Sequence, residues 1–99
     1  MVDEQIERYL NTCERYRRMP ESLRRESTMR FALGMATKLV ARRTDLMQTM
    51  TEQDVWLYAH PRHRQRDQMD AMWIDSLQEY ERVETALTDG TRIMFGGPG

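Results

Sequence analysis

The sequence contains a single cysteine, Cys13, and this excludes an internal disulfide. Proline occurs three times and glycine five times, so long segments are free of helix-breaking residues. The acidic N-terminus at Asp3 lacks the basic start and apolar run of a signal peptide. No stretch approaches the ~20 apolar residues that a membrane span needs. These absences predict a cytoplasmic protein that makes no contact with a membrane.

An excess of charge of one sign is also missing, since the formal net charge is -1 although 31% of the residues are charged. This balance argues against a general polyanion binder. The charges are nevertheless separated along the chain. Residues 20–50 carry six basic and three acidic side chains, whereas residues 67–90 carry one basic and seven acidic side chains. We expect the basic middle and the acidic last part to attract each other, within the fold or across a dimer.

Apolar residues recur at intervals of three and four along most of the chain, which is the spacing of amphipathic helices. The sequence therefore predicts an all-α fold, a small self-associating bundle of three long helices and one short helix. The predicted helices run from about Val2 to Arg18, Glu21 to Gln48, Glu52 to Ala59 and Arg62 to Thr88. Thr51 is the expected cap of the short helix, and Gly90 is expected to end the last one. Residues 1–90 are predicted to form the bundle and residues 91–99 a flexible C-terminal tail, in which the role of Gly96–Gly99 stays open.

The second predicted helix has an apolar arc of roughly 200°, about twice the width that one packed side requires. It must therefore be covered on two sides, by other helices of the chain or by a second copy. Gly34 and Ala41 indicate either a close helix–helix approach or a kink at Gly34. Arg43 lies inside the arc and needs a carboxylate partner or a route to solvent, and Glu84 is one such partner. The candidate partner-interface residues are Phe31, Met35, Leu39, Leu46 and Met50.

A basic run at the predicted start of the last helix suggests a different function. It follows a short predicted helix and a His-Pro turn, which loosely resembles the order of a helix-turn-helix element. Arg and Gln side chains are suitable readers of guanine and adenine. The acidic residues that follow, beginning with Asp67, would repel DNA phosphates. The candidate nucleic-acid residues are Arg62, His63, Arg64, Gln65 and Arg66.

Four residues near this run have side chains of the types that bind a divalent metal, namely His60, His63, Asp67 and Asp70. The pattern is weak because the chain has only two histidines. We expect His63 and Asp67 to pair on the surface instead, and no metal or other cofactor is predicted.

No catalytic motif stands in the sequence: it has neither a Ser-His-Asp set nor a glycine-rich phosphate loop. The nine methionines include several on apolar faces, where this adaptable side chain suits both core filling and partner surfaces. The leading prediction is a non-enzymatic protein-interaction module, an adaptor or regulatory subunit that binds a second copy of itself or another protein. The alternative prediction is a DNA-binding regulator that uses the basic run.

Overall fold

The computed structural model describes residues 1–96, which form three helices. They are α1 (Val2–Arg18), α2 (Leu23–Ala59) and α3 (Arg66–Phe95), and the described residues contain no strand. The all-α prediction is confirmed, but the number of helices is three and not four. The part of the predicted tail that lies at residues 97–99 is outside the described residues.

The first helix has the bounds that the sequence predicted. Its apolar stripe buries Tyr9, Cys13 and Tyr16 against the rest of the bundle. The chain then turns through Pro20, and Ser22 caps the next helix by accepting a hydrogen bond from the backbone N–H of Arg25 at 3.2 Å.

The second helix is continuous over 37 residues, so the predicted break before a short helix is wrong. Thr51, the expected cap, lies in the helix interior, where its hydroxyl donates to the Met47 carbonyl at 2.9 Å. The cap signal at Thr51 is overridden because residues 35–60 contain neither proline nor glycine and Leu57 continues the buried stripe.

The third helix starts later and ends later than the sequence predicted. It starts at Arg66 because Pro61 and the following residues form turns, with the His63 N–H bonded to the His60 carbonyl at 3.3 Å. It continues through Gly90, which is buried, and ends at Phe95. Gly90 is therefore a packing residue within the helix and not its end. Residues 91–95, assigned to the tail by the sequence, are helical.

The helices α2 and α3 form a long antiparallel hairpin. Arg43 pairs with Glu84, and near the turn Arg66 donates to the Leu57 carbonyl at 2.8 Å. Inward residues alternate in steps of three and four, as in a coiled coil. On α2 they are Met29, Ala32, Ala36, Leu39, Arg43, Leu46, Met50, Gln53 and Leu57. On α3 they are Met69, Trp73, Ser76, Tyr80, Val83, Leu87, Gly90 and Met94.

The first helix covers only part of this hairpin. Asp3 pairs with Arg82, and the rings of Tyr16 and Phe95 lie 6.2 Å apart, so α1 runs parallel to the second half of α3. The other half of the hairpin, residues 47–59 and 66–77, projects as an arm only two helices thick. The Cα atoms span 60 × 25 × 17 Å, and the radius of gyration is 17.6 Å, against about 13 Å for a compact domain of this length.

Candidate interaction surface

The structure does not bring the five predicted interface residues onto one surface. Leu39 and Leu46 are 0% and 4% exposed, because α1 and α3 of the same chain cover the wide apolar arc of α2. Met35 packs against α1, where its sulfur lies 3.6 Å from the Thr12 hydroxyl oxygen. Phe31 is 60% exposed. Met50 is half-buried beside α3 and lines a groove on another side of α2.

The ion pair expected inside the arc is present. Arg43 Nη1 lies 2.7 Å from Glu84 Oε1, and both side chains are about one-third exposed. The adjacent Arg42 pairs with Glu79, and this hydrogen bond raises the pKa of the Arg42 guanidinium. The two pairs connect the basic helix α2 to the acidic helix α3 within one chain. Part of the charge separation seen in the sequence is therefore neutralised intramolecularly.

The side of α2 that faces away from α1 is almost free of charge from Leu33 to Tyr58. We call it the uncharged face, and Asp54 is its only charged residue. Its members are all exposed and occupy three positions of a seven-residue repeat. They are Leu33, Val40, Met47 and Asp54; Gly34, Ala41, Gln48 and Val55; and Thr37, Thr44, Thr51 and Tyr58. An exposed helix face normally carries the charged and polar residues of the helix. A face of Val, Leu, Met, Thr and small residues is typical of a surface that packs against another helix.

The three threonine hydroxyls of the uncharged face are satisfied within the helix. The hydroxyls of Thr37, Thr44 and Thr51 donate to the carbonyls four residues earlier at 2.9, 3.1 and 2.9 Å. At Gly34 a Cβ atom would meet no other atom within 4 Å. The close approach considered for Gly34 and Ala41 therefore has no partner within residues 1–96, and both residues face outward.

A groove between α2 and α3 extends the uncharged face across the hairpin in the arm. It is lined by Met47, Met50, Thr51, Asp54, Trp73, Leu77 and Tyr80. Met47 is 53% exposed and Tyr58, further along the same helix, is 91% exposed. The arm thus leaves large apolar side chains in contact with solvent, because α1 does not reach it.

The five predicted nucleic-acid residues do not form a recognition helix. Arg62, His63, Arg64 and Gln65 lie in the connection between α2 and α3, and only Arg66 belongs to α3. Antiparallel helices joined in this way form a hairpin, whereas the two helices of a helix-turn-helix cross at ≈ 90–120°. The prediction of a helix-turn-helix-like element is therefore wrong. The helix before the turn is the long α2, and residues 62–65 lie before α3 begins.

The same connection holds a small aromatic cluster. His60 stacks on Trp56 with ring centroids 4.5 Å apart, and His63 meets the Trp56 ring edge-on at 5.1 Å. His60 Nδ1 lies 2.9 Å from the Trp56 carbonyl and must donate, whereas His63 Nδ1 accepts from the Gln65 N–H at 3.0 Å. These bonds fix both rings as part of the turn.

Within residues 1–96, no group of three or more His, Cys, Asp and Glu side chains is placed to hold a metal ion. The predicted pair of His63 and Asp67 is not among the ion pairs of this region. The same part of the chain contains no helix that is both long and apolar enough to cross a membrane.

The one thiol lies in the core and not on a surface. Cys13 is fully buried beside Tyr9, and burial raises the pKa of the Cys13 thiol above its ordinary value. Burial, with a smaller contribution from Cys13, raises the pKa of Tyr9 to about 12. Both groups are therefore neutral at physiological pH, as core packing requires.

Among known proteins, no family model, curated protein or solved structure matches this chain.

Proposed function

We propose that this protein is a non-enzymatic interaction module that acts as a homodimer through the uncharged face of α2. The observation that carries the proposal is the uncharged face itself, which is exposed from Leu33 to Tyr58 and has Asp54 as its one charged residue. Nearly a third of all residues in this chain are charged, so an exposed helix face with one charge among twelve residues is unusual for it. A second copy that packs on this side would remove Val40 and Met47 from water. Asp54, the one charged residue of the face, would have to stay at the rim of the interface to avoid burial without a partner.

The size and shape of the single chain support the same proposal. Its accessible surface is 7362 Å², about a quarter more than the roughly 5,900 Å² typical of a compact monomer of 11.9 kDa. The excess of roughly 1,400 Å² exceeds the ≈ 800 Å² that one partner buries in an interface of standard size. A twofold dimer of the α2–α3 hairpins would bury the same face on both copies.

In such a dimer, the two hairpins together would form a four-helix arrangement, with each α1 on the outside. An arm of two helices buries little apolar surface on its own, and Gln53 weakens the contact between α2 and α3 in this arm. The buried Oε1 of Gln53 has no hydrogen-bond partner within the described residues. A second hairpin over Met47 and Met50 would compensate for this weakness by burying apolar surface.

The test compares two threonines of the same helix. Thr44 lies on the uncharged face, whereas Thr49 is exposed on the opposite edge of α2. In Thr44→Lys a charge enters the proposed interface, so we expect the dimer to dissociate at least about tenfold more readily. Thr49→Lys adds the same charge outside the interface and should leave the association unchanged. Sedimentation equilibrium measures both, with circular dichroism as the check that the helices form.

Two results would count against the proposal. One is a wild-type protein that sediments as an 11.9 kDa monomer at high micromolar concentration. The other is a dimer that Thr44→Lys and Thr49→Lys weaken to the same extent, since that would place the interface elsewhere. We retain the cytoplasm as the proposed compartment, because the single cysteine is a free thiol within the core.

A further inference from the structure

A second surface, separate from the uncharged face, lies where α1 ends and α2 begins. There the two helices enclose an open cleft of about 470 Å³, lined by Arg15, Met19, Arg24, Ser27, Thr28 and Phe31. The four residues from α2 are spaced by three, one and three positions, so they form one side of its first turns. Residues 15–30 carry six arginines and two glutamates, although the whole chain has a net charge of -1.

Three of the six arginines around this corner of the bundle have contacts that belong to the fold. Arg17 and Arg18 lie 3.8 and 3.9 Å from the Glu14 carboxylate. The Arg25 guanidinium lies 4.1 Å from the centre of the Tyr16 ring and donates to the Tyr16 carbonyl at 3.3 Å. These contacts hold the end of α1 against the start of α2.

The two arginines that line the cleft differ from these. Neither Arg15 nor Arg24 forms an ion pair with a carboxylate in the described part of the chain. Guanidinium groups prefer planar, bidentate contacts with carboxylate or phosphate oxygens. The cleft also lies beside the first turn of α2, whose dipole favours an anion.

The remaining lining residues add hydroxyl and apolar surface. Ser27 is exposed, and the Thr28 hydroxyl donates to the Arg24 carbonyl at 2.9 Å. Met19 and Phe31 supply the apolar part of the lining, and Phe31 is more than half exposed. A cleft that is lined by both an aromatic ring and two cationic groups suits a ligand that carries an anionic group and a flat ring.

We propose that this cleft binds a phosphate monoester, with the phosphate held by Arg15 and Arg24 and the attached ring packed on Phe31. The proposal does not depend on dimer formation, because the cleft residues precede Leu33, where the uncharged face begins.

The test uses phenyl phosphate as the probe and follows the backbone amides of the full chain by NMR. Saturable shifts are expected at residues 15–31 and not at residues 60–66. In Arg15→Gln/Arg24→Gln the affinity should fall at least about tenfold, since two charge-assisted contacts are lost. The matched control is Arg62→Gln/Arg64→Gln, which removes two exposed arginines at the other end of α2 and should leave the affinity unchanged.

Two further comparisons test the contributions of the ring and of the phosphate group separately. Phe31→Ala should weaken the binding of phenyl phosphate but not of inorganic phosphate, and phenol alone should not bind. The proposal is overturned if no saturable shifts occur at the cleft. It is also overturned if the two double variants lose affinity equally, because that result would mean attraction by the overall charge. The same outcomes in the Thr44→Lys background would show that the cleft acts independently of association.

Discussion

The two glycines within helices should respond in opposite ways to replacement by alanine. Gly34→Ala adds a methyl group where no atom lies within 4 Å, and Ala favours a helix interior by about 1 kcal/mol over Gly. Gly90→Ala adds the same methyl group 2.2–2.4 Å from three atoms of the Tyr9 ring. Carbon atoms in contact normally lie ≈ 3.5–4.0 Å apart, so the ring or the helix must move.

The magnitude follows from the position of Tyr9, which is 3% exposed and fills the space between α1 and α3. Forcing extra volume into such a site costs about 1–3 kcal/mol, which exceeds the gain in helix propensity. We therefore expect Gly90→Ala to lower the free energy of unfolding by up to about 2 kcal/mol. Gly34→Ala should raise the free energy of unfolding by up to about 1 kcal/mol.

The assay is urea unfolding followed by circular dichroism, with both variants made in the Thr44→Lys background so that self-association does not contribute. A control variant, Tyr9→Ala, removes the ring, and in its presence Gly90→Ala should no longer destabilise the protein. Equal stabilities of Gly90→Ala and Gly34→Ala would refute the reasoning, because α1 could not then be seated over Gly90 as described.

Three other predictions concern the core and the helix pair. Because the pKa of Tyr9 is raised to about 12, the folded state retains the phenol proton more strongly than the unfolded chain, so stability should fall as the pH rises from 10 to 12. Tyr9→Phe should reduce this dependence in urea titrations at pH 9 and 11, with the buried Cys13 thiol supplying the remainder, and an unchanged slope would contradict it. The Cys13 thiol should react with an aromatic disulfide reagent only as fast as the protein unfolds, whereas rapid reaction of the native protein would show that it is accessible. Glu84→Gln should cost up to about 1 kcal/mol of stability by thermal unfolding, since Arg43 is partly solvated; a loss above about 3 kcal/mol would mean a buried pair.

The parts of the fold that follow from local spacing could be predicted from the sequence. The bounds of α1 and the pairing of Arg43 with Glu84 follow from periodicity and from the cost of a buried charge. The break before Thr51 and the helix end at Gly90 were wrong because both rested on local preferences. The tertiary contacts of α2 with α3 and of Tyr9 with Gly90 override those preferences.

The candidate surface was only partly predictable for the same reason. The width of the apolar arc indicated that α2 is covered on two sides, but it could not separate core residues from exposed ones. Buried Leu39 and Leu46 belong to a seven-residue series, and the exposed Val40 and Met47 follow one position later. That spacing, read together with the missing charges, was the signal that could have divided the arc into a core seam and an uncharged face.

The central claim is that a second copy covers the uncharged face, and the most direct test is the mass of the wild-type protein in solution. Light scattering across a dilution series from high to low micromolar concentration should show twice the chain mass of 11.9 kDa at the upper end. The mass should fall towards that of the single chain on dilution, and at higher concentrations for Thr44→Lys than for Thr49→Lys. A constant mass of one chain across the whole series would contradict the account.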